Sequence, residues 1–411
     1  MRRVLQNADF RRLWCSQIGL ALGDGVMQMG LLELFRTQAR LDPRIETAKL
    51  FFASALPAAL LGPLAIAYLD RFQRRSVLMC SDSLRALVMG AMVAWVFPIV
   101  SGRWDPQNLL VIYAMVFVIG AITTFYYPAR YALIPNLVGT DKLIQANTLF
   151  TTSLAVAGVG SRALGGFIAE QLGVEWALLC NAFAYVSAVA LVWNIRMTPH
   201  ATTTGAAAHA QGGWGELKTG LVYLWQHRTA LPLVLLSAVF AFLAGVFVVA
   251  IVGYALDTLG LRTGGVGYLI AAAGIGATAG VAVFGRGRKW THATWLPFVQ
   301  LLLVGLLLVV LSTTTGVWLA ALFLVALGAC GATMLIPIDA KLQEHVDDQR
   351  RGAVFAARGM LTSATMVVAF WLNFGTPLLR RTPAPTILLW LGAVSVIVSA
   401  LAAMAVRTRR G

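Results

Sequence analysis

Leu69-Asp70-Arg71-Phe72-Gln73-Arg74-Arg75 is a short, densely charged turn between two long apolar runs. The run from Leu50 to Tyr68 precedes it, and the run from Ser76 to Val100, with only Asp82 and Arg85 as charges, follows. Two runs of spanning length joined by so short a basic link form a hairpin across a bilayer, with the turn on the cytoplasmic side.

The rest of the chain repeats this pattern. Its 411 residues are 59% hydrophobic and 12% charged, with a mean hydropathy of +0.77. A soluble domain carries about 25% charged residues, so the composition belongs in a membrane. Apolar blocks near 13–36, 48–69, 76–100, 108–128, 144–169, 174–195, 230–256, 264–284, 292–312, 316–337, 353–375 and 385–406 predict twelve spans. Each is close to the roughly 20 residues that cross the hydrocarbon.

The net charge of +15 is distributed as a topology signal. With the N-terminus inside, 21 of the 32 Lys and Arg fall on the cytoplasmic side and 8 outside, and Arg85, Arg162 and Arg358 stay within spans. That bias predicts a multi-pass protein of the bacterial cytoplasmic (inner) membrane with both termini in the cytoplasm. The bases do not gather on a soluble face, which argues against a nucleic-acid partner. Cys15, Cys80, Cys180 and Cys330 fall in four different spans without a CxxC pair or a histidine cluster, so buried free thiols are expected and no metal. The first apolar run is long and lacks a small-residue cleavage site, so it is expected to stay in the mature protein.

The longest polar interval, Arg196 to Arg228, divides the chain into an N-terminal six-helix bundle (1–196), a cytoplasmic linker (197–228) and a C-terminal six-helix bundle (229–411). From Trp214 to His227 a short interfacial helix is expected, with Leu217, Leu221, Leu224 and Trp225 as its apolar stripe. A weak internal repeat is visible. The basic turn at Arg71, Arg74 and Arg75 has a counterpart at Arg286 to Lys289, and the fourth and tenth spans end near Pro128 and Pro337 before polar connections. Parallel repeats of this kind place a substrate cavity between the halves.

Charges inside spans cost about 2.5–3.5 kcal/mol each on insertion scales, and they face a cavity or a partner. Asp24 lies midway along the first span between Gly23 and Gly25, where it is placed to carry a proton or meet a cationic group; the alternative is a packing carboxylate. Glu33 reads as a solvated interface residue. Asp82 and Arg85, three apart on one helix, are within pairing reach. Arg130 and Asp339 hold equivalent places in the two halves and read as gate components or as solvated loop charges. Arg162 and Arg358 have no local acid, so each needs a distant partner or an anionic ligand; Arg358 is also close enough to the cytoplasmic end to snorkel.

The turn resembles the signature of the major facilitator superfamily, Gly-x-Leu-Ala-Asp-Arg-x-Gly-Arg-Lys, with Asp70, Arg71, Arg74 and Arg75 at its charged positions and Ile66 and Gln73 at its glycines. Leu22-Gly23-Asp24-Gly25, the stretch from Tyr127 to Val138 and Ala146 to Leu149 resemble bacterial drug- and siderophore-exporter-type members. Gly158, Gly160, Gly165 and Gly166 resemble an antiporter signature that packs the halves closely, with Ser161 and Arg162 at its Gly-Pro positions. The resemblance implies an all-α polytopic membrane protein of the major facilitator fold, with 12 transmembrane helices in two six-helix bundles. It also implies a cytoplasmic gate in which Asp70 meets the start of the eleventh helix at Arg351 and Gly352, where a helix N-terminus favours a carboxylate.

The function expected is secondary transport by alternating access: proton-coupled export of a small amphiphilic or drug-like compound by a monomer in contact with membrane lipids. The coupling residues would be Asp24 and Arg162. Asp70, Arg71, Arg74, Arg75, Asp82, Arg85, Arg130, Asp339, Arg351, Gly352 and Arg358 would serve gating. The alternatives are a lysophospholipid transporter or flippase and a non-transporting sensor. No GxxxxGK[ST] loop is present to use ATP. The five histidines lie in or beside polar connections without ligand spacing, so neither an enzyme nor a cofactor is expected.

Overall fold

The computed structural model describes residues 2–37, 41–69, 72–102, 105, 107–139, 142–195, 212–227, 230–284 and 295–407. Among the described residues twelve long helices carry the fold: α1 Ala8–Thr37, α2 Pro43–Leu69, α3 Arg74–Val100, α4 Gln107–Val138, α5 Leu143–Gln171, α6 Val174–Trp193, α7 Ala230–Gly253, α8 Thr263–Phe284, α9 Leu296–Ser312, α10 Val317–His345, α11 Asp348–Gly375 and α12 Ala384–Arg407. Three short helices, Arg2–Leu5, Gly212–Gln226 and Pro377–Arg381, flank or join them. Eleven of the long helices are long and apolar enough to cross a membrane, and α9 is an apolar helix of 17 residues. Among the described residues there is no strand.

Local chemistry sets several helix ends. Asn7 caps α1, its side-chain oxygen accepting from the backbone N–H groups of Asp9 (3.0 Å) and Phe10 (3.1 Å). Asp42 does the same for α2 through the N–H groups of Arg44 and Ile45. The carbonyls at the C-terminal end of α6 accept from arginines, Trp193 from Arg75 and Asn194 from Arg12, which matches positive charge to the negative end of the helix dipole.

The chain forms two compact units: Met1–Leu41 with Leu50–Lys218, and Asp42–Lys49 with Thr219–Gly411. In the first, α1 packs on α5 and α6, and α3 packs on α4 and α6. In the second, α7 packs on α11, α8 on α10, and α9 on α10 and α12. The first and fifth helices of each unit meet at small residues. A Cβ on Gly165 would come 2.6 Å from the Cα of Val26 on α1, and one on Gly245 of α7 would come 2.8 Å from the Cβ of Ala369 on α11. Small residues at such crossings let helices pack in a solvent as apolar as their own side chains. The second unit also holds the first two turns of α2. The buried Arg44 donates there to the carbonyls of Arg380 (2.7 Å), Thr382 (2.8 Å) and Leu379 (3.4 Å).

Several expectations change. Pro128, Pro135 and Pro337 do not end spans; α4 and α10 continue through them, since in a membrane neighbouring helices and hydroxyls tolerate the missing bond. Cys15, Cys80 and Cys180 are exposed and Cys330 is intermediate, because the lipid-facing surface is as apolar as the core. Glu33 is buried and paired with Arg36 at 2.7 Å. The close approach of Gly165 lies within the first unit, against α1. In the helix Gly212–Gln226, Leu217 and Leu224 are buried together with Tyr223, whereas Leu221 and Trp225 face outward, so the expected stripe is split between two faces. The linker 197–211 and the turn at Arg286 to Lys289 lie outside the described residues, as do Asp70 and Arg71.

Candidate functional site

α1 positions the centre of the site. Gln17, Asp24 and Gln28 recur at helical spacing on one face, and Gly23 and Gly25 bracket Asp24. A Cβ on Gly23 would come 2.8 Å from that of Ala184 on α6, and one on Gly25 would overlap Ser161 on α5. The two glycines therefore let α5 and α6 close in on either side of Asp24.

That approach places the carboxylate against α6. Tyr185 donates its hydroxyl to Asp24 Oδ1 at 2.7 Å, and Asn181 donates its amide to the same oxygen at 3.1 Å. Among the described residues Oδ2 receives no hydrogen bond, and Asp24 is partly exposed. Arg162 of α5, also partly exposed, lies within electrostatic reach of Asp24 and donates to Gln28 Oε1 (3.2 Å) and to the Gly158 carbonyl (2.9 Å).

Behind Asp24 runs a buried polar chain. The Arg85 guanidinium sits 5.0 Å from the Tyr185 ring centroid and 4.1 Å from that of Tyr126, held in place by an ion pair with Asp82. Asp82 is 0% and Arg85 2% exposed. The Tyr126 hydroxyl accepts from the Gln17 amide, and Gln17 Oε1 accepts from Arg130 at 2.8 Å. Arg130 in turn lies against the rings of Tyr127 (4.8 Å) and Tyr131 (4.5 Å). Asp24, Tyr185, Arg85, Asp82, Tyr126, Gln17 and Arg130 thus form one connected series drawn from α1, α3, α4 and α6. Asp82 Oδ2, Arg85 Nε, Arg130 Nε and Asn181 Oδ1 have no partner among the described residues, although buried polar atoms are normally paired.

The sequence-predicted residues that the structure describes fall into four groups. Asp24, Arg162, Asp82, Arg85 and Arg130 come together in the first unit. Arg130 is 2% exposed, which corrects its reading as a solvated loop charge: α4 continues past Pro128 and carries it into the bundle. In the second unit Arg358 pairs with Asp339 on α10 and donates to Ser237 on α7 (3.1 Å). Arg74 and Arg75 bond the carbonyls of Ala132 and Trp193. Arg351 ends the first turn of α11 and Gly352 follows it, because the helix starts at Asp348 rather than at Arg351: the Asp347 carbonyl already accepts from Arg350 (2.9 Å) and Arg351 (3.0 Å). Gln17, Gln28, Tyr126, Asn181 and Tyr185 are site residues that the sequence reading passed over. The uncharged polar residues in apolar spans were a usable signal; the tyrosines were hidden among core aromatics.

Comparison with known proteins accords with this architecture. A solved POT family transporter, PepTSo, superposes with a TM-score of 0.73 over 98% of each chain at 10% identity. A D-xylose-proton symporter gives 0.71 over 95% of this chain and 96% of its own at 15% identity. In sequence, the MFS-type transporter YkuC of Bacillus subtilis (strain 168) is 24% identical over 85% of this chain and 81% of its own. The lysophospholipid transporter LplT of Photorhabdus laumondii is 26% identical over 80% and 78% respectively. The family model described as Major Facilitator Superfamily matches residues 14–370. This chain, a multi-pass helical membrane protein, belongs to the major facilitator superfamily of transporters.

Proposed function

We propose that the chain exports a small amphiphilic compound across the bacterial inner membrane by alternating access, in exchange for protons. The observation that carries this reading is the Asp24 carboxylate: near the middle of α1, partly exposed, with Oδ1 held by Tyr185 and Asn181 and Oδ2 without a hydrogen bond among the described residues. A proton and a cationic or hydrogen-bonding group on a substrate would compete for that one oxygen. Mutually exclusive occupancy of a single group is what exchange requires, since each ligand then leaves as the other arrives. The excess of cytoplasmic Lys and Arg supports termini that face the cytoplasm. The Asp339–Arg358 pair, with its aspartate side chain 40% exposed, is the element of the second unit best placed to exchange partners between states.

A second reading is lysophospholipid movement. Around the site three arginines (Arg85, Arg130, Arg162) face two aspartates (Asp24, Asp82), an excess that suits an anionic headgroup, and the LplT relative handles lysophospholipids. Flux in proteoliposomes of the purified protein separates the two, with ethidium and a fluorescent lysophosphatidylethanolamine as probes. Movement of ethidium driven by a pH gradient supports export of amphiphilic cations. Movement of the lysolipid alone supports the second reading, and movement of neither overturns both.

A further inference from the structure

We propose that Arg85 is a positioning residue for Asp24, acting through the hydroxyl of Tyr185, with Asp82 as the anchor that holds the guanidinium in place. The inference rests on the coupling role given to Asp24 above. Its argument is geometric. Arg85 and Asp82 share α3 and do not hydrogen-bond Asp24 themselves. Arg85 instead lies against two aromatic faces, Tyr126 at 4.1 Å and Tyr185 at 5.0 Å, and both tyrosines are 1% exposed. A planar cation over a buried ring fixes that ring more tightly than packing alone. The fixed ring of Tyr185 points its hydroxyl at Asp24 Oδ1, 2.7 Å away.

The placement of Tyr185 therefore decides which carboxylate oxygen of Asp24 is engaged and which is left to another ligand. Among the described residues, several groups on the helices packed around Asp24 bond it or lie within electrostatic reach of it. They are Asp82 and Arg85 on α3, Tyr127 on α4, Arg162 on α5, and Asn181 and Tyr185 on α6. Of these only Tyr185 and Asn181 bond it directly. Arg162, the other nearby cation, is committed to Gln28 and the Gly158 carbonyl. The pair Asp82–Arg85 is three residues apart on one turn and cannot drift from its register, so it makes a rigid mount for a side chain that must be aimed.

Infrared titration of the purified full-length protein in liposomes tests this. The protonated-carboxyl band of Asp24 is identified by its loss in Asp24→Asn, and its midpoint is followed with pH. Tyr185→Phe keeps the ring under Arg85 and removes only the donor, so the midpoint should shift by about 1 to 2 pH units, the worth of one hydrogen bond to a charged group. Arg85→Lys keeps the charge and loses the planar contact, so its midpoint should move in the same direction by a smaller amount. An Asp24 band with the same midpoint in wild type and Tyr185→Phe overturns the proposal. So does a shift in Tyr185→Phe without one in Arg85→Lys, because Arg85 then does not aim the ring. An Asp24 band that never titrates overturns the coupling role of Asp24 as well, which distinguishes failure of the underlying reading from failure of this one.

Discussion

Removing the Arg85 guanidinium should destabilise the protein far more than removing the whole ion pair. Asp82 is fully buried, and its Oδ2 has no partner among the described residues, so Arg85 is the charge that makes its burial tolerable. Arg85→Ala leaves a carboxylate unpaired in a low-dielectric interior, a change that costs about 3–5 kcal/mol. The unfolding constant would then rise roughly a hundred- to several-thousand-fold. Asp82→Leu combined with Arg85→Met removes both charges and fills similar volume. Such replacements are often neutral, so this variant should stay within about 2 kcal/mol of wild type, less the loss of the contacts to Tyr126 and Tyr185. Reversible unfolding in mixed detergent–SDS micelles, followed by tryptophan fluorescence, measures both. Wild-type stability in Arg85→Ala would refute the reasoning. So would a double variant as unstable as Arg85→Ala, since ring packing rather than an unpaired charge would then set the cost.

Other outcomes follow from single contacts. Gly25→Ala puts a Cβ into Ser161 and should cost about 1–3 kcal/mol by overpacking α1 on α5; adding Ser161→Gly should recover much of it in the same unfolding assay. Arg44→Ala strips the carbonyls of Leu379, Arg380 and Thr382 of a charged donor and should lower thermal stability by about 2 kcal/mol or more, with Arg44→Lys recovering only part because an ammonium lacks the guanidinium fork. Arg358→Ala should change stability by about 1 kcal/mol or less, because the Asp339 side chain is 40% exposed and can hydrate, while transport in proteoliposomes falls.

The fold was legible because bilayer physics leaves few options. Apolar blocks of about 20 residues must be helices, since no water is available to satisfy an open backbone. Prolines misled the boundaries at Pro128 and Pro337, where the usual breaker is carried inside a helix. The cysteines misled for a related reason, as burial cannot be read from apolarity when the outer surface is apolar too. Of the site, Asp24 stood out because a charge in mid-span needs a reason, and the i, i+3 spacing showed the Asp82–Arg85 pair. Tyr185 and Tyr126 did not stand out, because their roles come from the crossing of α6 and α4 with α1 and α3, and hydropathy does not fix helix rotation. Arg130 could be read as a gate component or as a loop charge for the same reason: its partner Gln17 is 113 residues away in sequence.

The central claim is that Asp24 couples transport to protons. Accumulation of ethidium in proteoliposomes under an imposed pH gradient, measured beside equilibrium exchange without a gradient, tests it directly. Asn at position 24 can still accept from Tyr185, so the bundle should hold. The account predicts that Asp24→Asn keeps equilibrium exchange and loses all accumulation driven by the gradient. Gradient-driven accumulation that survives in Asp24→Asn would contradict it.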